Sequence, residues 1–202
     1  KGIVGLGGAM FPTHVKLNPP KPVNTLIING CECEPFLNSD NRVMIEYPEE
    51  IINGIEIVKK ILNVQRVIIG IEDNKQEAIN SFKKYSSSYD VEIQQLNTKY
   101  PEGAEKILIK KLTNRQVPKG GLPFDVGVIV LNVSTVFSIY NAVNFGFPLI
   151  SRIITISGNN VKISGNYEIK IGFPLKEIIS STIDGNDIFD YEIKMGGPMM
   201  GI

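Results

Sequence analysis

Neither sign of charge is in excess in this chain, where 21 lysines and arginines stand against 21 aspartates and glutamates. A protein that holds nucleic acid or an anionic membrane surface needs a concentrated basic face, so the balance argues against both partners. No apolar run approaches the roughly 20 residues that span a bilayer. The N-terminus also lacks the layout of a signal peptide. Together these absences exclude direct membrane insertion by a helix and predict a soluble, cytoplasmic chain.

Cysteine is scarce as well, limited to Cys31 and Cys33. A disulfide closed across one intervening residue is strained, so both are expected as thiols, in packing or loop roles and not as a redox pair. Two thiolates fall short of the four that an iron–sulfur cluster takes, which puts any such cluster outside this chain. The single histidine, His14, does not complete a zinc site with them, because no fourth ligand is evident. Lys1 lies within a few residues of a glycine-rich loop and the chain stops at Gly196-Gly197-Pro198-Met199-Met200-Gly201-Ile202 without a capping element, so a piece of a longer protein is expected.

What is present is ample core material, 43% hydrophobic over 202 residues, enough for one large domain or one domain plus a small one. The segment least suited to a core is Gly5-Leu6-Gly7-Gly8-Ala9-Met10-Phe11-Pro12-Thr13-His14-Val15-Lys16. Backbone without Cβ atoms can bring N–H groups close to a ligand, and Lys16 can meet a phosphate, so this reads as a binding loop. It is not the dinucleotide fingerprint G-x-G-x-x-G, since Met10 stands at the third glycine's place and Pro12 soon follows.

Beyond the stiff connector Pro19-Pro20-Lys21-Pro22, apolar runs at 24–28, 66–71 and 126–131 read as buried strands, and the alternating 91–96 as a strand nearer an edge. Helical spacing covers 48–62, 74–85, 104–112 and 132–145. That rhythm implies a mainly parallel sheet. Past Pro148 it changes: strands near 152–158 and 167–171 and a brief helix at 175–180 suit a small α+β module of the ubiquitin-like sort.

Two carboxylates, Glu32 and Glu34, follow the first strand closely, where open α/β sheets build their sites. An isolated carboxylate pair is also read as solvated surface charge or as glycosidase or metal chemistry; beside a nucleotide it would accept ribose hydrogen bonds. The long loop from Arg115 to Phe124, with glycines, prolines and cations, has a functional composition. Asn132-Val133-Ser134-Thr135 opens a helix whose free N–H groups and positive end suit a phosphate; the same residues also make a plain N-cap.

Five segments occur together in order: GLGGAMFPTHVKL at 5–17, NTLIINGCECEP at 24–35, YPEGAEKILIKKLT at 100–113, GGLPFDVGVIVLNVSTV at 120–136, and the closing GGPMMG. They resemble RnfC, the peripheral NADH-oxidising subunit of the Rnf electron-transport complex, over almost the whole chain. That family is related to the flavoprotein subunit of respiratory complex I, and the electron-transfer protein of clostridial proline reductase is a close cousin. The resemblance implies a parallel-sheet FMN-binding α/β domain of complex I flavoprotein type at 1–150. It further implies a small β-grasp (SLBB) module at 151–202, ahead of a domain with two four-iron (4Fe-4S) clusters that is missing here.

By motif, the complex I pattern G-R-G-G-A-G-F-P-T-G-x-K falls on Gly5 to Lys16 and N-A-D-E-G-E-P on Asn29 to Pro35. The patterns Y-x-x-G-E-E and N-N-V-E-T fall on Tyr100 to Glu105 and on 131–135. The resemblance thus implies FMN and NAD(H) contacts at Gly5, Gly7, Gly8, Lys16, Asn29, Glu32, Glu34, Tyr100, Gly103, Glu105, Asn132 and Thr135. Leu6, Cys31, Ala104 and Leu131 depart from the patterns. No residue need act as a general acid or base. NADH would give a hydride to noncovalent FMN, and single electrons would leave for the clusters in the absent part.

The implied partners are NADH and other subunits of an Rnf-type complex, which would hold the chain peripherally on the inner face of the cell membrane. Two alternatives stay open. One is an electron carrier for proline reductase or a cobalamin reductase; the other is a non-catalytic scaffold with a degenerate flavin pocket, favoured by Leu6 and Ala104.

Overall fold

Continuous apolar runs make strands that can be buried on both faces, and four strands build one parallel sheet. β1 (Thr25–Gly30), β2 (Arg66–Glu72), β3 (Glu92–Leu96) and β4 (Val128–Asn132) lie in the order β3-β2-β1-β4, each neighbouring pair parallel. In this computed structural model, which describes residues 1–183 and 191–202, the sheet belongs to a unit of residues 1–33 and 40–149. Residues 34–39 and 150–202 form a second unit.

Alternation along the strands divides the core. Ile27 lies opposite both Ile68 and Val130, and this face packs against Leu108, Ile109 and Leu112 of α5 (Glu105–Thr113). Leu26, Ile28, Val67 and Ile69, all buried, point the other way. The helices away from α5 are α3 (Pro48–Leu62), which packs against both α4 (Gln76–Tyr89) and α6 (Val133–Asn144), while α6 also contacts β1 and β4. α3 has the local signals that specify it: Pro48 at its start, Glu49 and Glu50 in its first turn, and Asn63 in the left-handed conformation at its end.

The structure differs from the sequence expectation in several places. Thr13–Lys16 forms a short helix, α1, at the end of the glycine loop. Ser39–Glu46 forms a helix, α2, whose largely polar sequence buries only Val43 and Met44 and so carries little periodic signal. β4 starts two residues later than expected, because Pro123–Val126 makes a turn of 3-10 helix that ends at Gly127 with φ +72.

In the second unit, β5 (Ser151–Ile156) and β6 (Gly165–Lys170) pair antiparallel, followed by α7 (Leu175–Thr182). The module expected at 151–202 includes residues 184–190, which lie outside the described residues.

α3 and α6 approach closely at Gly54, where an added Cβ would lie 2.6 Å from the Val136 carbonyl oxygen and 2.8 Å from Val136 Cγ1. Alanine would gain about 1 kcal/mol of helix propensity. Forcing two helices apart costs about 1–3 kcal/mol, and the obstacle here is partly backbone. Gly54→Ala should therefore lower stability by about 1 kcal/mol or more in urea denaturation followed by circular dichroism. An unchanged or raised midpoint would refute this close approach.

Candidate functional site

Asn29 and Asn132 are register partners at the carboxyl ends of β1 and β4. β1 is the strand from which the sheet grows in both directions, and the crevice beside such a strand is where parallel α/β sheets hold ligands. Three segments distant in sequence are tied to this edge.

The first is the glycine loop. Val4 and Pro12 pair in an antiparallel bridge, and the Gly5 N–H donates to the Phe11 carbonyl at 2.9 Å. Gly8 sits at φ +113, a conformation side chains rarely adopt, with no atom within 4 Å of where its Cβ would stand. The Leu6 N–H donates to Thr135 Oγ1 at 2.9 Å. Gly7 lies so near α6 that a Cβ there would fall 3.3 Å from that of Asn132. At the loop's far end, Lys16 Nζ stands 2.7 Å from Glu105 Oε1, pinning α1 to the start of α5.

The second is the turn that carries Tyr100 and Gly103. Asn29 Nδ2 donates to the Gly103 carbonyl at 2.9 Å, while Asn29 Oδ1 accepts the Cys31 N–H at 3.0 Å. A Cβ on Gly103 would come within 3.1 Å of Cys31, so the turn rests directly on the end of β1.

The third is the start of α6, reached through a series of acids. Glu72 Oε2 accepts the Glu32 N–H at 3.1 Å. The Glu32 carboxylate accepts the N–H groups of Asp40 and Asn41, at 3.0 and 3.1 Å, in the first turn of α2. Asp40 in turn accepts from Asn132 Nδ2 and from the Ser134 hydroxyl, each at 2.5 Å. Asn132 Oδ1 takes the Ser134 and Thr135 N–H groups at 2.9 and 3.2 Å.

Of the residues singled out from the sequence, Gly5, Gly7, Gly8, Lys16, Asn29, Glu32, Tyr100, Gly103, Glu105, Asn132 and Thr135 all fall in the first unit. The contacts above join most of them along this edge. Glu34 falls in the second unit, where its carboxylate accepts the Met199 N–H at 2.6 Å. Two expectations change in form. Glu32 already serves as the acid at the start of α2, and the first N–H groups of α6, expected to be open to a phosphate, are bonded to Asn132 with the Asp40 carboxylate alongside.

Asp40, Glu72 and Thr13 were not singled out from the sequence. Asp40 had a signal, since Ser39-Asp40 is a typical helix opening. Glu72, at the end of an apolar strand, had none. Thr13 is 3% exposed, and its hydroxyl has no hydrogen-bond partner among the described residues. Among those residues no group of three or more His, Cys, Asp or Glu could hold a metal ion, and no helix is long and apolar enough to cross a membrane. The available donors and acceptors, an ammonium, amides, carboxylates and loop N–H groups, suit an organic ligand bearing phosphate and hydroxyls.

Burial pushes the Cys31 thiol well above its ordinary value, with Glu72 adding to the effect, so Cys31 is not an activated nucleophile. Burial also raises the Glu72 carboxyl, against the opposing pull of the Glu32 N–H and Lys75; Asp73 and Glu102 push it further up.

The chain matches the family model described as the Nuo51 FMN-binding domain over residues 1–141. It is 50% identical over 202 residues to a component of the proton-translocating ferredoxin:NAD(+) oxidoreductase complex of Clostridium ljungdahlii, covering 99% of this chain and 44% of that protein. The counterpart from the Na(+)-translocating complex of Acetobacterium woodii is 43% identical over 204 residues, covering 100% and 46%. The corresponding component of the ion-translocating oxidoreductase complex of Rhodobacter capsulatus is 42% identical over 205 residues, covering 100% and 39%. The chain thus spans less than half the length of these relatives. In fold it is similar to a chain of an NAD+-reducing nickel–iron hydrogenase in the air-oxidised state, with TM-score 0.79 and 23% identity over 90% of this chain and 37% of that one.

Glu72 makes stability depend on pH. Its folded-state pKa lies above that of the unfolded chain, so its contribution to stability is fully present below the unfolded value, near pH 4.5, and is lost as pH rises through the folded value. Glu72→Gln removes that loss. Its stability relative to the parent should rise in urea denaturations from about pH 4.5 through the folded value and then level off; a difference independent of pH from about 4 to 8 would contradict the assignment.

Proposed function

This chain belongs to the Nuo51 FMN-binding domain family and matches the RnfC-type proteins within it, and from that premise we propose that it holds FMN noncovalently at the carboxyl edge of its parallel sheet. NADH is the reductant, and the electrons pass to iron–sulfur clusters carried elsewhere in an Rnf-type complex. The single observation that carries this reading is the convergence of the glycine loop, the Tyr100–Gly103 turn and the start of α6 on the ends of β1 and β4.

The residues present fit the cofactor. Thr13 offers a buried hydroxyl without a partner among the described residues, and Gly8 leaves open space where a side chain would stand. Lys16, Asn29, Asn132 and the loop N–H groups supply donors for a phosphate and ribityl hydroxyls. Bound FMN would supply the conversion between two-electron hydride chemistry and one-electron transfer. The chain's own task is binding and orientation. Lys16 and Asn132 make polar contacts to FMN, while Thr135, expected from the sequence to do the same, is buried and acts through the Leu6 N–H it holds. Gly5, Gly7 and Gly8 let a flat ring approach the backbone, and Tyr100, Gly103 and Glu105 line the pocket. Glu32 acts at this edge by holding the first turn of α2.

Residues 151–202 form the SLBB module, a reading supported by the antiparallel β5–β6 pair and α7. The chain works on the cytoplasmic side, attached to the inner face of the membrane through partner proteins of the complex.

The test is to titrate the chain with FMN and then add NADH without oxygen. A yellow protein whose visible absorbance is bleached is expected; absence of binding at tens of micromolar FMN leaves the scaffold alternative. Lys16→Ala should weaken FMN binding about tenfold or more, as loss of a charge-assisted hydrogen bond does. Thr135→Ala should weaken it about fivefold by releasing the Leu6 N–H. Both variants should keep the parent's circular dichroism. Unchanged affinity in both, read by quenching of FMN fluorescence, would count against this pocket.

A further inference from the structure

We propose that Asp40 is a positioning residue for this site, holding the side-chain amide of Asn132 in the one orientation that caps α6 and keeps Asn132 in place beside the glycine loop. The proposal rests on the FMN reading above. An asparagine amide has a donor end and an acceptor end of nearly equal size, so shape alone does not fix which way it faces. An ionised carboxylate has only acceptors. Asp40 Oδ2, 2.5 Å from Asn132 Nδ2, therefore selects the donor end, and Asn132 Oδ1 is left to accept the Ser134 and Thr135 N–H groups.

The other Asp40 oxygen takes the Ser134 hydroxyl, again at 2.5 Å, as charge-assisted bonds do. Asp40 is itself fixed, because its own N–H is bound by Glu32 and the Glu32 N–H by the buried Glu72. The consequence reaches the loop directly. Gly7 passes so close that a Cβ added there would lie 3.3 Å from Asn132 Cβ, and Thr135, in the same capped turn, holds the Leu6 N–H. Losing the Asp40 acceptor releases Asn132 and loosens both contacts.

The experiment measures FMN dissociation constants of the 202-residue chain and of Asp40→Ala, Asn132→Ala and the double variant. Asp40→Ala is expected to weaken binding about tenfold, and Asn132→Ala at least as much. In the Asn132→Ala background, Asp40→Ala should add less than about twofold, because the two act as one unit. Additive losses would overturn the proposal, since Asp40 would then act independently of Asn132.

Asp40→Asn is isosteric and keeps one acceptor for Asn132. It should bind FMN within about threefold of the parent while shifting the Asn132 side-chain amide resonances, which a neutral acceptor perturbs. Unmoved resonances would overturn the placement even where Asp40→Ala fails to fold. A parent chain that binds no FMN overturns the flavin reading and this role with it. A parent that binds FMN alongside an Asp40→Ala variant that binds equally well overturns the role alone.

Discussion

The handedness of parallel connections is the constraint from which the candidate site follows. A right-handed crossover that carries the chain outward from β1 to β2 and on to β3 can place its helices on one face of the sheet only. The step from β3 back across the sheet to β4 runs in the opposite direction, so its helix, α5, must cover the opposite face, where it packs on Ile27, Ile68 and Val130. The chain enters β4 from the face that carries α5, and leaves both β1 and β4 toward the face that carries α3 and α6. At this edge two neighbouring backbone ends carry polar groups that need partners. Asn29 and Asn132, in register at the two tips, occupy that position.

Those partners are supplied mostly by acids and amides reading backbone N–H groups. Glu72, Glu32 and Asp40 each accept from the next segment, so β2, the loop after β1, α2 and the start of α6 are joined in series. Asn29 performs the same service toward Gly103. Each link is an ordinary bond worth about 1 kcal/mol net, more where a charge is involved. Their effect is larger than that sum suggests, because each fixes the geometry of the next and leaves the glycine loop little freedom at Leu6 and Gly7. This is how a scaffold holds a ligand site built from loops: the flexible segment is tied at both ends to rigid ones.

The sheet and the three site segments were legible because their signals are local. Continuous apolar runs marked β1 and β2, 3.6-residue spacing with Pro48 marked α3, and the glycine and Tyr100–Gly103 motifs marked the loops. α2 was not legible. It is short and mostly polar, and its first turn is held by Glu32, an acid from the loop after β1. Asp40 was missed for the same reason, since its importance lies in reaching Asn132, 92 positions away. Glu32 shows the converse. Its place after β1 correctly marked it as part of the edge, but sequence position says nothing about whether a carboxylate faces a ligand or a neighbouring helix.

Two places on this edge offer positive charge or its equivalent, and they differ in how readily they can be exchanged. The Lys16–Glu105 pair is part exposed, with side chains 28% and 38% accessible, and an ion pair in that setting is worth on the order of 1 kcal/mol. A ligand phosphate could compete for the ammonium at little cost. The start of α6 is different. Its first N–H groups already have an acceptor in Asn132, and the Asp40 carboxylate beside them is fixed by two short hydrogen bonds and by its own backbone. A dianion brought there would displace neutral caps and meet a like charge. Within the FMN reading, this asymmetry favours the ammonium of Lys16 as the anion-facing end of the crevice. It leaves Asn132 to the uncharged parts of the ligand, which an amide group can satisfy without a change in net charge.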